Sequence, residues 1–209
     1  METQRSNSLL AFLFFFFSLR LILAVGEYNY ANGTNGSDFI RKSCSTTLYP
    51  DLCFSSLSRY ASTVGKDPAH LARAAVSLSL SKTKHMAAYV SNVSRLADYG
   101  ATADPRATAA LHDCFSNFGD AVDEIRGSLK QMRHINAGGG GGELFRFQMS
   151  NVQTWMSAAL TDQETCTDGF EDVSDSPVKS QVIDRVTEVK KHTSNALALV
   201  NRYAENSVP

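Results

Sequence analysis

Residues 111–132 read LHDCFSNFGDAVDEIRGSLKQM. Leu111, Cys114, Phe118, Val122, Ile125, Leu129 and Met132 recur at steps of three and four, which places them on one face of an α-helix. The positions between them are mostly polar or charged. A cysteine on the apolar stripe means that the helix both buries that face and offers a covalent tie to whatever covers it.

Three other segments share the pattern. Residues 68–97 carry Val76, Leu80, Thr83, Ala87 and Val90. Residues 144–171 carry Phe145, Met149, Val152, Met156, Ala159, Cys166 and Phe170, with Gln163 at the one polar step. Residues 178–205 carry Val182, Val186, Val189, Thr193, Ala196 and Val200. No segment sustains the two-residue alternation of a half-buried strand. Four amphipathic helices with short connections predict an all-α, up-down-up-down four-helix bundle over 68–209. Pro68 suits a first helical turn, and Gly138 to Gly142 read as a flexible connector.

Before the bundle, residues 38–67 alternate short helical pieces and turns, predicting an N-terminal helical hairpin. Cys44 and Cys53 lie in SCSTTLYPDLC, and Cys114 and Cys166 complete the four cysteines of the chain. Four cysteines permit three pairings. One bond inside the hairpin and one between the second and third bundle helices leaves both halves unstrained. The chain-entropy model assigns such bonds about 2.5 and about 4 kcal/mol.

Residues 1–26 read as a signal peptide: Arg5, an apolar run from Leu9 to Val25 interrupted by Arg20, and small residues Ala24 and Gly26 before the cut. The run is short for a transmembrane helix. An oxidising destination fits paired cysteines better than metal ligands. Residues 27–37 read as a flexible mature N-terminus, followed by a domain at 38–209. Asn32, Asn35 and Asn92 open Asn-x-Ser/Thr sequons and are candidate glycan acceptors in a secreted chain. Twenty basic against 21 acidic residues make no global case for nucleic acid or anionic membrane.

Little in the sequence points to catalysis. The glycine run lacks the Gly-Lys-Ser/Thr of a phosphate loop, and no serine sits in a nucleophile elbow. The histidines at 70, 85, 112, 134 and 192 form no metal-spaced pair and read as surface or packing residues. Asp120, Asp123 and Glu124 read as a solvated helix face. No metal, cofactor or enzymatic activity is expected.

Several stretches nevertheless resemble one family. Phe39-Ile40-Arg41-Lys42-Ser43-Cys44 through Tyr49-Pro50-Asp51-Leu52-Cys53 is similar to the opening of plant invertase and pectin methylesterase inhibitors. Leu111-His112-Asp113-Cys114 into Ala121-Val122-Asp123 is similar too, as are Val152 to Leu160, Thr165 to Phe170, and Ser194 to Leu199. The resemblance spans nearly all of the chain after the leader. It implies a secreted, apoplastic cell-wall protein that binds its target enzyme one to one and covers the substrate cleft. With no catalytic domain after Pro209, a free-standing inhibitor is expected.

Inhibitors of acid invertase often carry Pro-Lys-Phe between the second and third bundle helices. Here the connector reads Gly141-Gly142-Glu143-Leu144-Phe145-Arg146-Phe147. The third helix, Thr154-Trp155-Met156-Ser157-Ala158-Ala159-Leu160-Thr161, resembles the pro-regions of pectin methylesterases. Pectin methylesterase is therefore the expected partner and acid invertase the alternative. The resemblance maps partner contacts onto Asn117, Asp120, Gln153, Thr165 and Asp168. Gln153, with the nearby Ser116, departs from the commoner family residues. Carboxylates in such a contact predict an affinity that changes with pH.

Overall fold

The computed structural model describes residues 36–99, 104–135 and 142–206. The leader, the tail through residue 35, Asn32, Asn35 and the glycine connector through residue 141 lie outside these. Residues 36 and 37, expected in the flexible tail, open a helix, α1, over 36–44. It is followed by α2 (Pro50–Leu57), a 3-10 turn (Ser58–Tyr60) and α3 (Ala61–Val64). Four long helices follow: α4 (Pro68–Tyr99), α5 (Pro105–Ile135), α6 (Gly142–Asp168) and α7 (Pro177–Asn206). No strand occurs among the described residues.

Three of the long helices begin by one device. Asp67 Oδ1 accepts the Ala69 amide at 2.8 Å, Asp104 Oδ1 the Arg106 amide at 2.9 Å, and Ser176 Oγ the Lys179 amide at 3.2 Å. Each cap is followed by a proline, whose fixed φ suits the first turn and whose missing donor is not needed there. Between α3 and α4 the chain reverses at Gly65, the one described residue with positive φ, at 57°. Side chains there would be strained.

In the bundle, α4 and α6 each pack against both α5 and α7. Every neighbouring pair is antiparallel. Ser79 meets Thr193 at 2.9 Å and Tyr89 meets Gln181 at 3.2 Å across α4 and α7. Gln153 meets Asn201 and Lys190 meets Glu164 across α6 and α7. His112 of α5 meets Ser94 and Asp98 of α4. The core is built from the stripes read in the sequence: Val76, Val90, Phe118, Ile125, Val152, Met156, Val182, Val186 and Val200 are all shut off from solvent.

The expected disulfides are both present, Cys44–Cys53 and Cys114–Cys166, and no described cysteine is free. The first closes the turn between α1 and α2. That turn is held to the bundle by Asn195 of α7, whose amide accepts from the Tyr49 N–H at 3.1 Å and donates to the Tyr49 carbonyl at 3.0 Å.

Other boundaries differ from expectation: Gly142, expected in the connector, opens α6. Helix α6 stops at Asp168 rather than near residue 171. Beyond it the backbone tightens to i→i−3 bonds, Phe170 N to Thr167 O at 3.1 Å and Glu171 N to Asp168 O at 3.0 Å. Phe170 is still buried. A turn therefore delivers this side chain to the core, and Lys179 Nζ fastens the turn by donating to the Val173 carbonyl at 2.6 Å. Among the described residues no helix is long and apolar enough to cross a membrane, and no group of three His, Cys, Asp or Glu could hold a metal ion.

Candidate functional site: the α5–α6 seam

The Cys114–Cys166 bond fixes the register of α5 against α6. One hydrogen bond farther along maintains it, and the helices pass close to each other at Gly127. Ser128 Oγ donates to the Val152 carbonyl at 3.4 Å, and a methyl placed on Gly127 would lie 3.5 Å from the Trp155 ring. Along the outer edge of this seam, Asn117, Asp120 and Glu124 follow one another on α5 at helical spacing. Ala158, Asp162 and Thr165 do the same on α6. Asp120, Ser116 and Thr165 are exposed and Asn117 is half-buried. Thr165 donates its hydroxyl to the Thr161 carbonyl at 2.9 Å, which keeps its oxygen on the helix surface. Phe147, 65% exposed, extends the same line of α6 with an apolar end.

The residues expected at a partner contact therefore divide. Asn117, Asp120 and Thr165 share the seam, and exposed Asp168 lies one turn beyond Thr165 at the end of α6. Gln153 stands apart. Its amide donates to Asn201 Oδ1 at 3.0 Å, across α6 and toward α7. Asn92, the one sequon among the described residues, is exposed on α4, where its side chain accepts from Arg95.

The seam also holds a pair that the sequence reading did not single out. The Glu124 and Asp162 carboxyls face each other across it, close enough for one to donate to the other when it holds a proton. Glu124 Oε2 is buried without a hydrogen-bond partner among the ordinary donors of the described residues. Burial, the bond to Asp162, and the negative charges of Asp162 and Asp120 together push Glu124 up to about 7. Burial, helped by the Asp120 charge, also raises Asp162, although the bond from Glu124 works against this. Asp123 turns away to pair with Arg126. Of the acidic cluster expected to be solvated, Asp120 and Asp123 are exposed, but Glu124 is not fully so. Once the disulfide sets the register, Asp162, one turn before Cys166, must lie beside the α5 turns that follow Cys114. That is the signal that could have found the pair.

The described residues form a disulfide-stapled helical bundle with a polar seam between α5 and α6. Residues 38–199 match the family model of plant invertase/pectin methylesterase inhibitors, and the chain belongs to that family. Pectinesterase inhibitor 3 of Arabidopsis thaliana is 40% identical over 172 residues, 82% of each chain. Pectinesterase inhibitor 10 of the same plant is 42% identical over 175 residues, 84% of this chain and 54% of that one. A 21 kDa protein of Daucus carota is 39% identical across 90% of this chain and 93% of its own. The crystal structure of a mutant pectin methylesterase inhibitor from Arabidopsis superposes with a TM-score of 0.59 at 17% identity, over 79% of this chain and 94% of that one. The family and both Arabidopsis thaliana relatives are named as inhibitors, not as enzymes.

Proposed function

We propose that the protein is secreted to the plant cell wall, binds a pectin methylesterase one to one through the α5–α6 seam, and covers its substrate cleft. Regulation of pectin de-esterification follows from that occlusion. The observation that carries the reading is the grouping of Asn117, Asp120 and Thr165 on one edge of two stapled helices. A rigid, hydroxyl- and carboxylate-bearing ridge resembles the polyol a pectin-binding cleft must recognise, and the staple means little order is lost on docking. The names of its relatives support the target. Asp168 adds a carboxylate at the end of the ridge. Gln153, tied to α7, braces α6 rather than touching the enzyme.

The test is a titration of the disulfide-bonded protein into a plant pectin methylesterase and, in parallel, an acid invertase at mildly acidic pH. Stoichiometric loss of esterase activity is expected, with Asp120→Ala and Thr165→Ala each weakening it and Gln153→Ala weakening it least. Inhibition of invertase alone would overturn the choice of target. Equal inhibition by parent and both seam variants would overturn the choice of surface.

A further inference from the structure

The two ends of the sequon Asn92-Val93-Ser94 meet opposite fates in the fold. Asn92 is exposed near the C-terminal end of α4. Its side-chain oxygen accepts from Arg95, and among the described residues its amide nitrogen makes no hydrogen bond. Ser94 is only 4% exposed. Its hydroxyl oxygen lies 3.4 Å from Nδ1 of His112 on α5, and His112 Nε2 in turn meets Asp98 at 2.8 Å, so the imidazole seals one turn of α4 over the serine. Residues two apart leave a helix about 200° apart. Folded α4 therefore turns the asparagine to solvent and the serine to α5.

N-linked transfer reads both ends of the sequon at once, the asparagine amide that takes the sugar and the hydroxyl two residues on. The folded protein cannot present them together, but a growing chain can. His112 follows Ser94 by 18 residues, yet a lone α4–α5 pair leaves uncovered the faces that α6 and α7 later bury, and most of a helix's stability comes from such packing. Ser79 of α4 and its partner Thr193 of α7 are 114 residues apart, an interval that synthesis at about 5–20 residues per second crosses in roughly 6–23 s. We propose that Asn92 carries an N-linked oligosaccharide, added during those seconds, before the bundle closes over Ser94. The donor is an oligosaccharide on a lipid diphosphate. A bond forms between the Asn92 amide nitrogen and the anomeric carbon, the bond from that carbon to the diphosphate oxygen breaks, the lipid diphosphate leaves, and the amide gives up one proton. The step rests on the secretion proposed above, because the donor is met only on that route. In the folded protein the sugar stands on α4, diagonally across the bundle from α6, and leaves the α5–α6 seam open.

The test is expression of the full chain in plant cells, behind its own leader and, in parallel, behind the leader of a protein known to be exported. Trypsin releases residues 85–95 as one peptide, whose mass reports Asn92 separately from Asn32 and Asn35. That peptide should carry the mass of an oligosaccharide, and Asn92→Gln, an exposed change that leaves the core alone, should lose it completely. Timing is read in a second arm. Sugar-free protein with both disulfides formed, offered to microsomal membranes and the lipid-linked donor, should stay unmodified, whereas the same chain reduced and unfolded should take the sugar. An unmodified peptide from the exported protein, or transfer to the prefolded protein as readily as to the unfolded chain, would overturn the proposal. The glycosylated protein should inhibit an esterase as well as Asn92→Gln does, and weaker inhibition would overturn the placement of the sugar away from the seam. Retention of the chain behind its own leader, with Asn92 modified behind the borrowed one, would sink the proposed secretion and leave the site standing.

Discussion

In the middle of the bundle, Gln163 of α6 donates its amide to Thr83 Oγ1 of α4 at 3.1 Å, a diagonal contact through a core otherwise closed to water. Thr83 passes the chain on, donating to the Ser79 carbonyl at 2.9 Å, and Ser79 Oγ meets Thr193 Oγ1 at 2.9 Å. Three of the four long helices are thus joined by buried polar groups. The network is incomplete, because Gln163 Oε1 has no partner. Removing one partner of a buried bond costs more than replacing both with apolar groups. Thr83→Val should therefore lose about 1–3 kcal/mol by stranding the amide. Adding Gln163→Leu should recover most of that loss, since it removes the stranded donor and the unpaired Oε1 together. Urea unfolding of the parent, both single variants and the double variant gives the coupling directly. Additive losses would show that the two side chains do not sense each other.

How far this arrangement could be read beforehand depends on the element. Cys114, Phe118 and Ile125 advertise their burial by spacing alone, because a helix facing a core must repeat that way, and the bundle follows from four such stripes. Gln163 was visible as a polar step in an apolar stripe, but nothing local names Thr83 as its partner, since that contact joins diagonal helices. Glu124 looked like its neighbours Asp120 and Asp123. Its distinct state comes from burial and from Asp162, which lies on another helix and is brought near by the register the disulfide imposes. His192 is buried and its basicity is lowered, first by burial and then by the charge of Lys82. Spacing on α7 alone does not separate it from a surface histidine. Ends were least legible: Phe170 keeps the helical rhythm of the stripe although the helix has already ended.

Glu124 makes stability depend on pH. Its folded value of about 7 stands above the ordinary 4.5, so between these limits the folded protein holds a proton that the unfolded chain releases. The contribution is fully present below pH 4.5 and is lost as pH rises through 7. The raised Asp162 acts in the same direction. Because Glu124 is only half-buried, solvent screening holds the effect to about 1 kcal/mol. The urea midpoint should fall between pH 4.5 and 7.5, and Glu124→Gln, whose amide still donates to Asp162, should flatten that fall. An equal slope in the variant would assign the dependence to other groups.

Asn195 fixes the hairpin by gripping both backbone groups of Tyr49. The loss of two ordinary hydrogen bonds amounts to about 2 kcal/mol. The consequence should be local as well. In Asn195→Ala, amide exchange should quicken across residues 47–53 while the centres of α5 and α6 keep their protection. Asn195→Asp is the sharper variant: it keeps an acceptor for the Tyr49 N–H but sets a carboxylate against the Tyr49 carbonyl, and so should be no better than alanine. Uniform loss of protection through the bundle would mean that the hairpin and the bundle unfold as one unit.

The two disulfides should differ in what they support. Cys114–Cys166 closes a loop spanning 52 residues and Cys44–Cys53 one spanning 9. The chain-entropy model gives about 4 kcal/mol to the first and about 2.5 kcal/mol to the second. Replacing Cys114 and Cys166 together by alanine should thus lower stability more than replacing Cys44 and Cys53. The larger difference concerns the seam. With Cys114–Cys166 gone, α5 and α6 are held by side-chain packing and by weak contacts such as Ser128 to the Val152 carbonyl, which tolerate sliding better than a covalent bond does. The carboxyl pair depends on register, so Glu124 in the Cys114→Ala/Cys166→Ala protein should titrate closer to an ordinary carboxylate, and seam-dependent inhibition should fall with it. The Cys44→Ala/Cys53→Ala protein should keep both. Carboxyl carbon shifts followed against pH distinguish the two outcomes. A Glu124 titration unmoved by loss of the inter-helix bond would show that packing alone sets the seam.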